Sequence, residues 1–234
     1  MSLFKKKHTE TNEKNLSYVF KCDEILDINE INIGSLFNVS VSTDTNDVII
    51  SIAKVYEDHL ASAFIIEEHN GSYKTAKLSV TLSGRFESTG KDKAEVILPK
   101  SKLNLERIEL SGAAEMVGGH INAISTKIIT SGAASITATA NSQRVEINAS
   151  GASSVLLDGI VHTLVISANG SSTIYAGELE NRNVIVEAHG ASGVFVNPSD
   201  CATGHASGAA RIHYGGAVRY EDIKTSGAAS KKPI

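Results

Sequence analysis

In the second half of the chain, apolar and polar residues alternate with a period of two on both sides of a recurring Ser-Gly step. In 145-VEINASGASSVLLDG-159 the apolar positions include Val145, Ile147, Val155 and Leu157. Such alternation is typical of a β-strand that buries one face. The pattern therefore predicts that each repeat consists of a strand, a corner at the Ser-Gly step and a second strand.

The Ser-Gly phrase recurs at nearly even spacing. Its seven glycines, separated by 20, 19, 19, 20, 18 and 19 residues, are Gly112, Gly132, Gly151, Gly170, Gly190, Gly208 and Gly227. A period of this size indicates stacked repeats that bury their apolar faces against one another. We predict an all-β, single-chain parallel β-solenoid (β-helix) with about 19 residues per coil, in which the glycines act as structural corners.

Two other architectures have repeats of similar length. Short helices would require apolar residues spaced by about 3.6, whereas the observed spacing is two. Leucine-rich repeats would require a Leu-x-x-Leu-x-Leu pattern, which is missing from the sequence. The solenoid remains the favoured fold.

The first hundred residues lack the phrase but keep the strand pattern. Residues 31–52 indicate two strands around a polar turn, and Asn70-Gly71 between apolar runs predicts a hairpin. Pro99 is expected at a strand end or corner. This section is expected to cover one end of the solenoid, where an open sheet edge would otherwise invite pairing with another chain.

These patterns divide the chain into four parts. We expect a polar N-terminal tail at 1–24, an N-terminal β section at 25–105, the repeat solenoid at 106–230 and a C-terminal tail at 231–234. A homo-oligomer that forms through a solenoid end is compatible with this layout.

Composition and charge narrow the classes of function. The net charge is -4, and no basic stripe suited to nucleic acid is present. No apolar run reaches the length of about 18 residues that spans a membrane, so membrane insertion is not expected. The polar start contains lysines but no apolar segment after them, so these residues are not expected to form a secretory signal. The sequence as given thus predicts a cytoplasmic location, or the cell surface if a leader has been removed.

One outward position is the best candidate for a binding surface. The residue before each corner glycine forms one vertical row in the predicted solenoid, which we name the corner row: Ser111, Ser131, Ser150, Asn169, His189, Ser207 and Ser226. Hydrogen bonding between corners explains such residues structurally. A flat polar strip for a glycan or another protein is the functional alternative, acting through many weak contacts.

Catalytic and metal-binding chemistry is weakly indicated. The outward acidic residues fall at different phases of the repeat, and Glu109 and Glu187 share a phase but lie four coils, or roughly 19 Å, apart. Glycosidases need two carboxylates within about 5 to 10 Å. His189, His205 and Cys201 offer a weak zinc alternative. We therefore expect no catalytic residues, no resident metal and no cofactor.

The repeat resembles a bacterial family of known sequence pattern. The segments 96-VILPKSKLNLERIELSGAAEM-116, 145-VEINASGASSVLLDG-159 and 207-SGAARIHYGG-216 resemble the family described as putative auto-transporter adhesin, head GIN domain. The resemblance covers roughly residues 30 to 230. It implies a cell-surface β-solenoid and brings no catalytic residues with it. Members of the family commonly begin with a signal or lipoprotein leader.

Three functions follow in order of preference. The first is a non-enzymatic, adhesin-like binding or structural protein whose rigid solenoid presents repeated polar positions to a glycan or protein. The second is a cytoplasmic scaffold that associates through solenoid ends. The third, a β-helix enzyme that cleaves polysaccharide, lacks a visible catalytic cluster.

Overall fold

The computed structural model of the protein describes residues 7–12, 15–69, 73–83 and 94–233. Within them, 18 strands join into one sheet. Short 3-10 turns occur at Lys54–His59 and Lys100–Lys102. The N-terminal strands are β1 Lys7–Asn12, β2 Asn15–Phe20, β3 Asp27–Ile33, β4 Asn38–Ser42, β5 Val48–Ala53, β6 Leu60–His69, β7 Tyr73–Leu82 and β8 Ala94–Pro99. The others are β9 Leu103–Leu110, β10 Glu115–Ile121, β11 Ser125–Thr130, β12 Ser135–Ala149, β13 Ser154–Ala168, β14 Thr173–Ala188, β15 Gly193–Ala206, β16 Arg211–Tyr214, β17 Tyr220–Thr225 and β18 Ser230–Pro233.

The repeats stack in parallel register, one phrase per coil. β12 pairs with β13 so that Ile136 lies beside Val155 and Ile147 beside Ile166. At the corner, the backbone N–H of Ala152 donates to the carbonyl oxygen of Gly132 at 2.7 Å. The predicted parallel β-solenoid with about 19 residues per coil is confirmed.

Each coil has two walls around a thin apolar core. The leading wall follows the corner glycine, the trailing wall precedes the next one, and a second bend near residues 142–144 joins them in β12. Like side chains stack on the inner face, as shown by the fully buried trailing-wall ladder of Ile128, Ile147, Ile166 and Val186. Small inward residues beside the corner, such as the buried Ala134 and Ser153, leave room for the chain to turn there.

The unequal coil lengths have a local cause in β-bulges. In β10, Val117 pairs with Thr137 and Gly119 with Ala138, so Gly118 is one extra residue in the 20-residue coil that begins at Gly112. β14 carries an extra residue between Tyr175 and Leu179 relative to β13. A bulge absorbs an added residue while the register on both sides is kept. The corners therefore stay aligned although the coils differ in length.

The solenoid contains one more corner than the glycine phrase marks. β3 pairs in parallel with β9, and β4 pairs in parallel with β10. Between them, Ser35 has a φ of 66° and accepts a hydrogen bond from the Ala113 backbone N–H at 2.6 Å. Parallel stacking thus begins within β3 rather than near residue 106. The expected N-terminal β section covers one end of the solenoid and contributes a coil to it.

The remaining N-terminal strands pair mostly as antiparallel neighbours. β6 and β7 form the predicted hairpin, although its turn, with Asn70 and Gly71, lies outside the described residues. β4 and β5 flank β8 on opposite sides and do not pair with each other. Pro99 ends β8, as predicted for a residue that cannot donate to a ladder.

Both predicted tails need correction. Residues 7–12 form β1, which pairs with β2, and residues 15–20 form β2, which pairs with β5 and buries Leu16, Tyr18 and Phe20. The predicted polar tail at 1–24 is therefore wrong for both strands. The alternation of these three residues lies within an otherwise polar stretch, which hid the strand. At the other end β18 reaches Pro233 and pairs with β16, so the tail at 231–234 is also wrong for those residues.

Candidate functional site

The corner glycines are required by the fold. Gly132, Gly151, Gly170, Gly190 and Gly208 have φ between 72° and 74°. A Cβ on Gly151 would lie 2.6 Å from the carbonyl oxygen of Gly132, and the neighbouring corners are similarly crowded. Other residue types rarely adopt this conformation, and none fits so close to the preceding coil. The recurring phrase is therefore explained by stacking, without a ligand.

The corner row is aligned along the solenoid axis and is mostly half-buried. Some of its polar groups bond to each other or to neighbours: His189 Nδ1 lies 2.6 Å from Ser207 Oγ, and Ser150 Oγ donates to the Thr130 carbonyl at 3.4 Å. Ser226 Oγ lies 3.2 Å from His205 Nε2. The row has no depth, and part of its hydrogen-bonding capacity is used internally. Its role in binding stays a prediction.

The structure does not bring the three candidate zinc ligands, His189, His205 and Cys201, together. His189 and His205 lie on adjacent coils with ring centroids 6.1 Å apart. Cys201, however, is four residues before His205 on the extended strand β15, which separates them by about 13 Å. Among the described residues, no cluster of three His, Cys, Asp or Glu side chains has metal-binding geometry.

A polar groove runs along the second bend, at the edge opposite the corner row. We name it the axial groove; its volume is about 550 Å³. The residues that line it come from five successive coils, from Ser142 to Gly216, which corresponds to roughly 19 Å along the axis. Its polar and charged side chains are Ser142, Gln143, His162, Glu180, Asn181, Arg182, Asn197 and Ser199. This surface offers donors, acceptors and depth together.

The groove combines opposite charges with one apolar surface. Arg182 Nε donates to Asp200 at 3.0 Å, and Arg219 Nε donates to the same carboxylate at 2.8 Å. These two hydrogen bonds hold the pKa of Asp200 below its ordinary value, so the carboxylate stays charged and fixes Arg182 at the rim. Ile160 presents an exposed apolar side chain within the same groove.

Two polar atoms at the base of the groove have no partner. Ser142 Oγ and Asn181 Oδ1 are buried without a hydrogen bond in the part of the chain that the structure describes. Asn181 is 5% exposed, and its amide donates to the Leu179 carbonyl at 2.8 Å. Buried oxygens of this kind normally have a hydrogen-bond partner, such as a protein group, an ordered water or an ion. Both belong to residues that line the axial groove.

The sequence pattern did not identify this groove. Its residues lie at the second bend, where the inward parity of β12 changes between Ser142 and Val145. An alternation with a period of two predicts which residues of a wall face inward. It does not predict the direction of side chains at the bend, where the alternation is interrupted. A signal was present nonetheless, because polar or charged residues recur there in successive repeats.

The outward acidic residues match the sequence analysis in one respect and differ in another. Glu109 and Glu187 are aligned in register and four coils apart, as predicted. Asp158 and Glu178, which differ in phase along the sequence, line the same cleft because the bulge in β14 shifts the register between them. The scattered-acid description is therefore wrong for this pair.

The architecture defines a class: single-chain parallel β-solenoids with a stacked glycine corner. A family model described as putative auto-transporter adhesin, head GIN domain, matches residues 28–217. The chain belongs to this family, and the resemblance noted in the sequence is confirmed.

Solved structures share this fold along nearly the whole chain. A putative adhesin from Bacteroides fragilis has a TM-score of 0.73 at 19% identity and covers 95% of this chain and 98% of its own. One from Parabacteroides merdae has a TM-score of 0.64 at 16% identity, with coverage of 95% and 97%. A putative lipid binding protein from Parabacteroides distasonis has a TM-score of 0.64 at 15% identity, with coverage of 95% and 98%.

Other comparisons add less. No curated protein matches the chain in sequence. In the part of the chain that the structure describes, no helix is both long and apolar enough to cross a membrane.

Proposed function

We propose that this protein is a non-enzymatic, adhesin-like binding protein whose rigid solenoid presents repeated outward positions to an extended glycan, and that the axial groove is the main contact surface. The observation that carries the proposal is the continuity of the groove over five coils. Membership of an adhesin family supports binding to a surface as the general role.

The chemistry of the groove favours a polyhydroxylated ligand. Amide, hydroxyl, imidazole, carboxylate and guanidinium groups alternate along it, so both donors and acceptors are available to sugar hydroxyls. The exposed Ile160 side chain offers an apolar surface for the C–H face of a sugar ring. Neither charge sign dominates, which disfavours a ligand selected by charge alone.

The geometry also supports binding without turnover. Glu180 is the single carboxylate among the described lining residues, and the nearby Asp200 is engaged by two arginines. Hydrolysis of a glycosidic bond requires a pair of carboxyl groups, one of which must exchange a proton. We expect bound polysaccharide to be recovered intact.

A glycan array followed by calorimetry tests the proposal. We expect the purified protein to retain an oligosaccharide or polysaccharide, and the combined substitutions His162→Ala, Arg182→Ala and Asn197→Ala to weaken binding at least tenfold. This estimate assigns about 0.5 to 1.5 kcal/mol to each lost hydrogen bond. All three side chains are exposed, so the fold should be unchanged by circular dichroism.

The corner row supplies the matched control. The variant Ser131→Ala, Ser150→Ala and Ser207→Ala should bind the same glycan as the unmodified protein. Loss of binding in that variant with retention in the groove variant would move the site to the corner row. Absence of any glycan ligand, or cleavage of the bound chain, would contradict the proposal as a whole.

A further inference from the structure

A second cavity lies on the outer face of the leading wall, beside the β-bulge of β14, and we name it the bulge cleft. Its volume is about 370 Å³, and its residues differ from those of the axial groove. One side of the cleft is apolar and aromatic and is formed by Leu156, Tyr175 and Phe195. The carboxylates of Asp158 and Glu178 also line it. It is therefore a separate site with different chemistry.

The apolar wall is part of a rigid ladder of rings. Tyr175 stacks on Phe195 with centroids 5.1 Å apart, and Phe195 stacks on His213 at 4.8 Å. Leu156 continues the same outward row on the preceding coil, and it remains 42% exposed while Tyr175 remains 44% exposed. Contiguous exposed apolar surface is typical of binding sites, whereas single exposed apolar residues are ordinary, and here two such residues adjoin each other beside a cavity.

The bulge opens the cleft because its central residue is a glycine that the fold does not require. Between paired positions, β13 has Leu157 and Asp158, whereas β14 has Ala176, Gly177 and Glu178. Gly177 does not have a positive φ, and a Cβ placed on it would meet nothing within 4 Å. This contrasts with the corner glycines, which are fixed by conformation and crowding. Glycine within a strand marks a bulge or a place where a ligand or another backbone approaches closely, and at Gly177 the missing side chain leaves the cleft open beside the bulge.

The charge in the cleft is uncompensated. No ion pair or side-chain hydrogen bond among the described residues involves Asp158 or Glu178. Two free carboxylates beside an apolar surface attract cations and repel anions. They also lie beside aromatic rings, whose electron density favours an ammonium group.

We propose that the bulge cleft binds a small organic cation, in which an apolar body packs against Leu156, Tyr175 and Phe195 and an ammonium group meets Asp158 and Glu178. This site is independent of the axial groove, and its ligand class is an alkyl- or arylalkylammonium ion. The proposal does not rest on glycan binding.

The test uses methyl NMR with three probes of similar shape: benzylamine, which is cationic at neutral pH, benzyl alcohol and benzoate. We expect benzylamine to shift the methyl signals of Leu156 and Leu157, benzyl alcohol to shift them less, and benzoate to leave them unchanged. The variant Asp158→Asn with Glu178→Gln should weaken benzylamine binding about threefold to tenfold, because exposed ion pairs contribute modestly. It should also remove the preference over benzyl alcohol.

Two further variants complete the design. Gly177→Leu should fill the cleft and abolish the shifts, while thermal unfolding remains as in the unmodified protein. Glu115→Gln, an outward glutamate of the leading wall on a distant coil, should bind benzylamine normally. Equal binding of benzoate, an unchanged benzylamine affinity in the carboxylate variant, persistence of binding in folded Gly177→Leu, or absence of any benzylamine shift would each overturn the proposal.

Discussion

At the scale of single residues, glycines in this chain occupy two kinds of position, one that only glycine fits and one that would accept a side chain. Gly151 combines a φ of 72° with a Cβ position 2.6 Å from the Gly132 carbonyl oxygen. Gly177 has neither constraint. The same amino acid is thus a structural necessity at the corner and an open position at the bulge.

This contrast gives a paired stability prediction. Gly151→Ala should lower the free energy of unfolding by about 2 kcal/mol or more, because the left-handed conformation costs a non-glycine residue about 1 to 2 kcal/mol and the new methyl group collides with backbone. Gly177→Ala should change it by less than about 0.5 kcal/mol. Urea unfolding followed by circular dichroism measures both. Equal effects at the two positions would contradict the conclusion that the corner requires glycine.

The sequence identified the seven corner glycines because their chemistry is local and repeated. It missed the corner at Ser35 because Gly34 and Ser35 stand in reversed order, so that serine itself takes the positive φ. The serine is held there by its Oγ, which donates to the Leu82 carbonyl at 2.9 Å and accepts from the Leu82 N–H at 3.1 Å. Serine can replace glycine at this corner because β7, which is distant in sequence, supplies the hydrogen bonds that hold it. The local sequence therefore does not predict this corner.

At the scale of strands, ion pairs connect neighbouring coils on the outer face. Lys127 of β11 and Glu146 of β12 are register partners, and their side chains meet at 2.6 Å. The hydrogen bond from Lys127 is the main cause that lowers the pKa of Glu146 below its ordinary 4.5, with Asn148 also contributing. The bond is partly exposed, so its contribution to stability is at most about 1 kcal/mol.

A pH dependence follows with a defined sign. Because the folded pKa of Glu146 is lowered, the stabilisation is fully present well above the ordinary value of 4.5 and is lost as the pH falls below 4.5 and through the lowered folded pKa. Glu146→Gln and Lys127→Met should each flatten the loss of stability over this window, and the double variant should add nothing further. Urea midpoints measured across the window test this. A slope unchanged in all three variants would contradict the assigned role of the pair.

The alternation of side chains predicted the strands and walls well but not the sites. Both cavities arise where the period of two is interrupted, the axial groove at the second bend and the bulge cleft at the extra residue of β14. Register shifts depend on pairing with the previous coil. Asp158 and Glu178 could therefore be brought together only once that pairing was known.

At the scale of the whole molecule, the solenoid has edges of different character. The corner edge is flat and mostly Gly, Ala and Ser, whereas the second bend is grooved and bears charged and amide groups. Each coil contacts chiefly its neighbours, so the stack acts as a stiff rod on which a repeated position becomes a straight row. The adhesin-like role depends on this regular stacking, because the axial groove is assembled from five coils.

Distances between spin labels measure the stacking directly. Three doubly labelled variants are needed, each in a Cys201→Ser background. Each carries Ser111→Cys together with one of His189→Cys, Ser207→Cys or Ser226→Cys. Cys22 is buried, and burial raises the pKa of its thiol to about 11, so it should stay unlabelled. Double electron–electron resonance should give backbone separations of about 19, 24 and 29 Å, an increase of about 4.8 Å per coil. Distances that fail to increase with each added coil would contradict the solenoid and both sites derived from it.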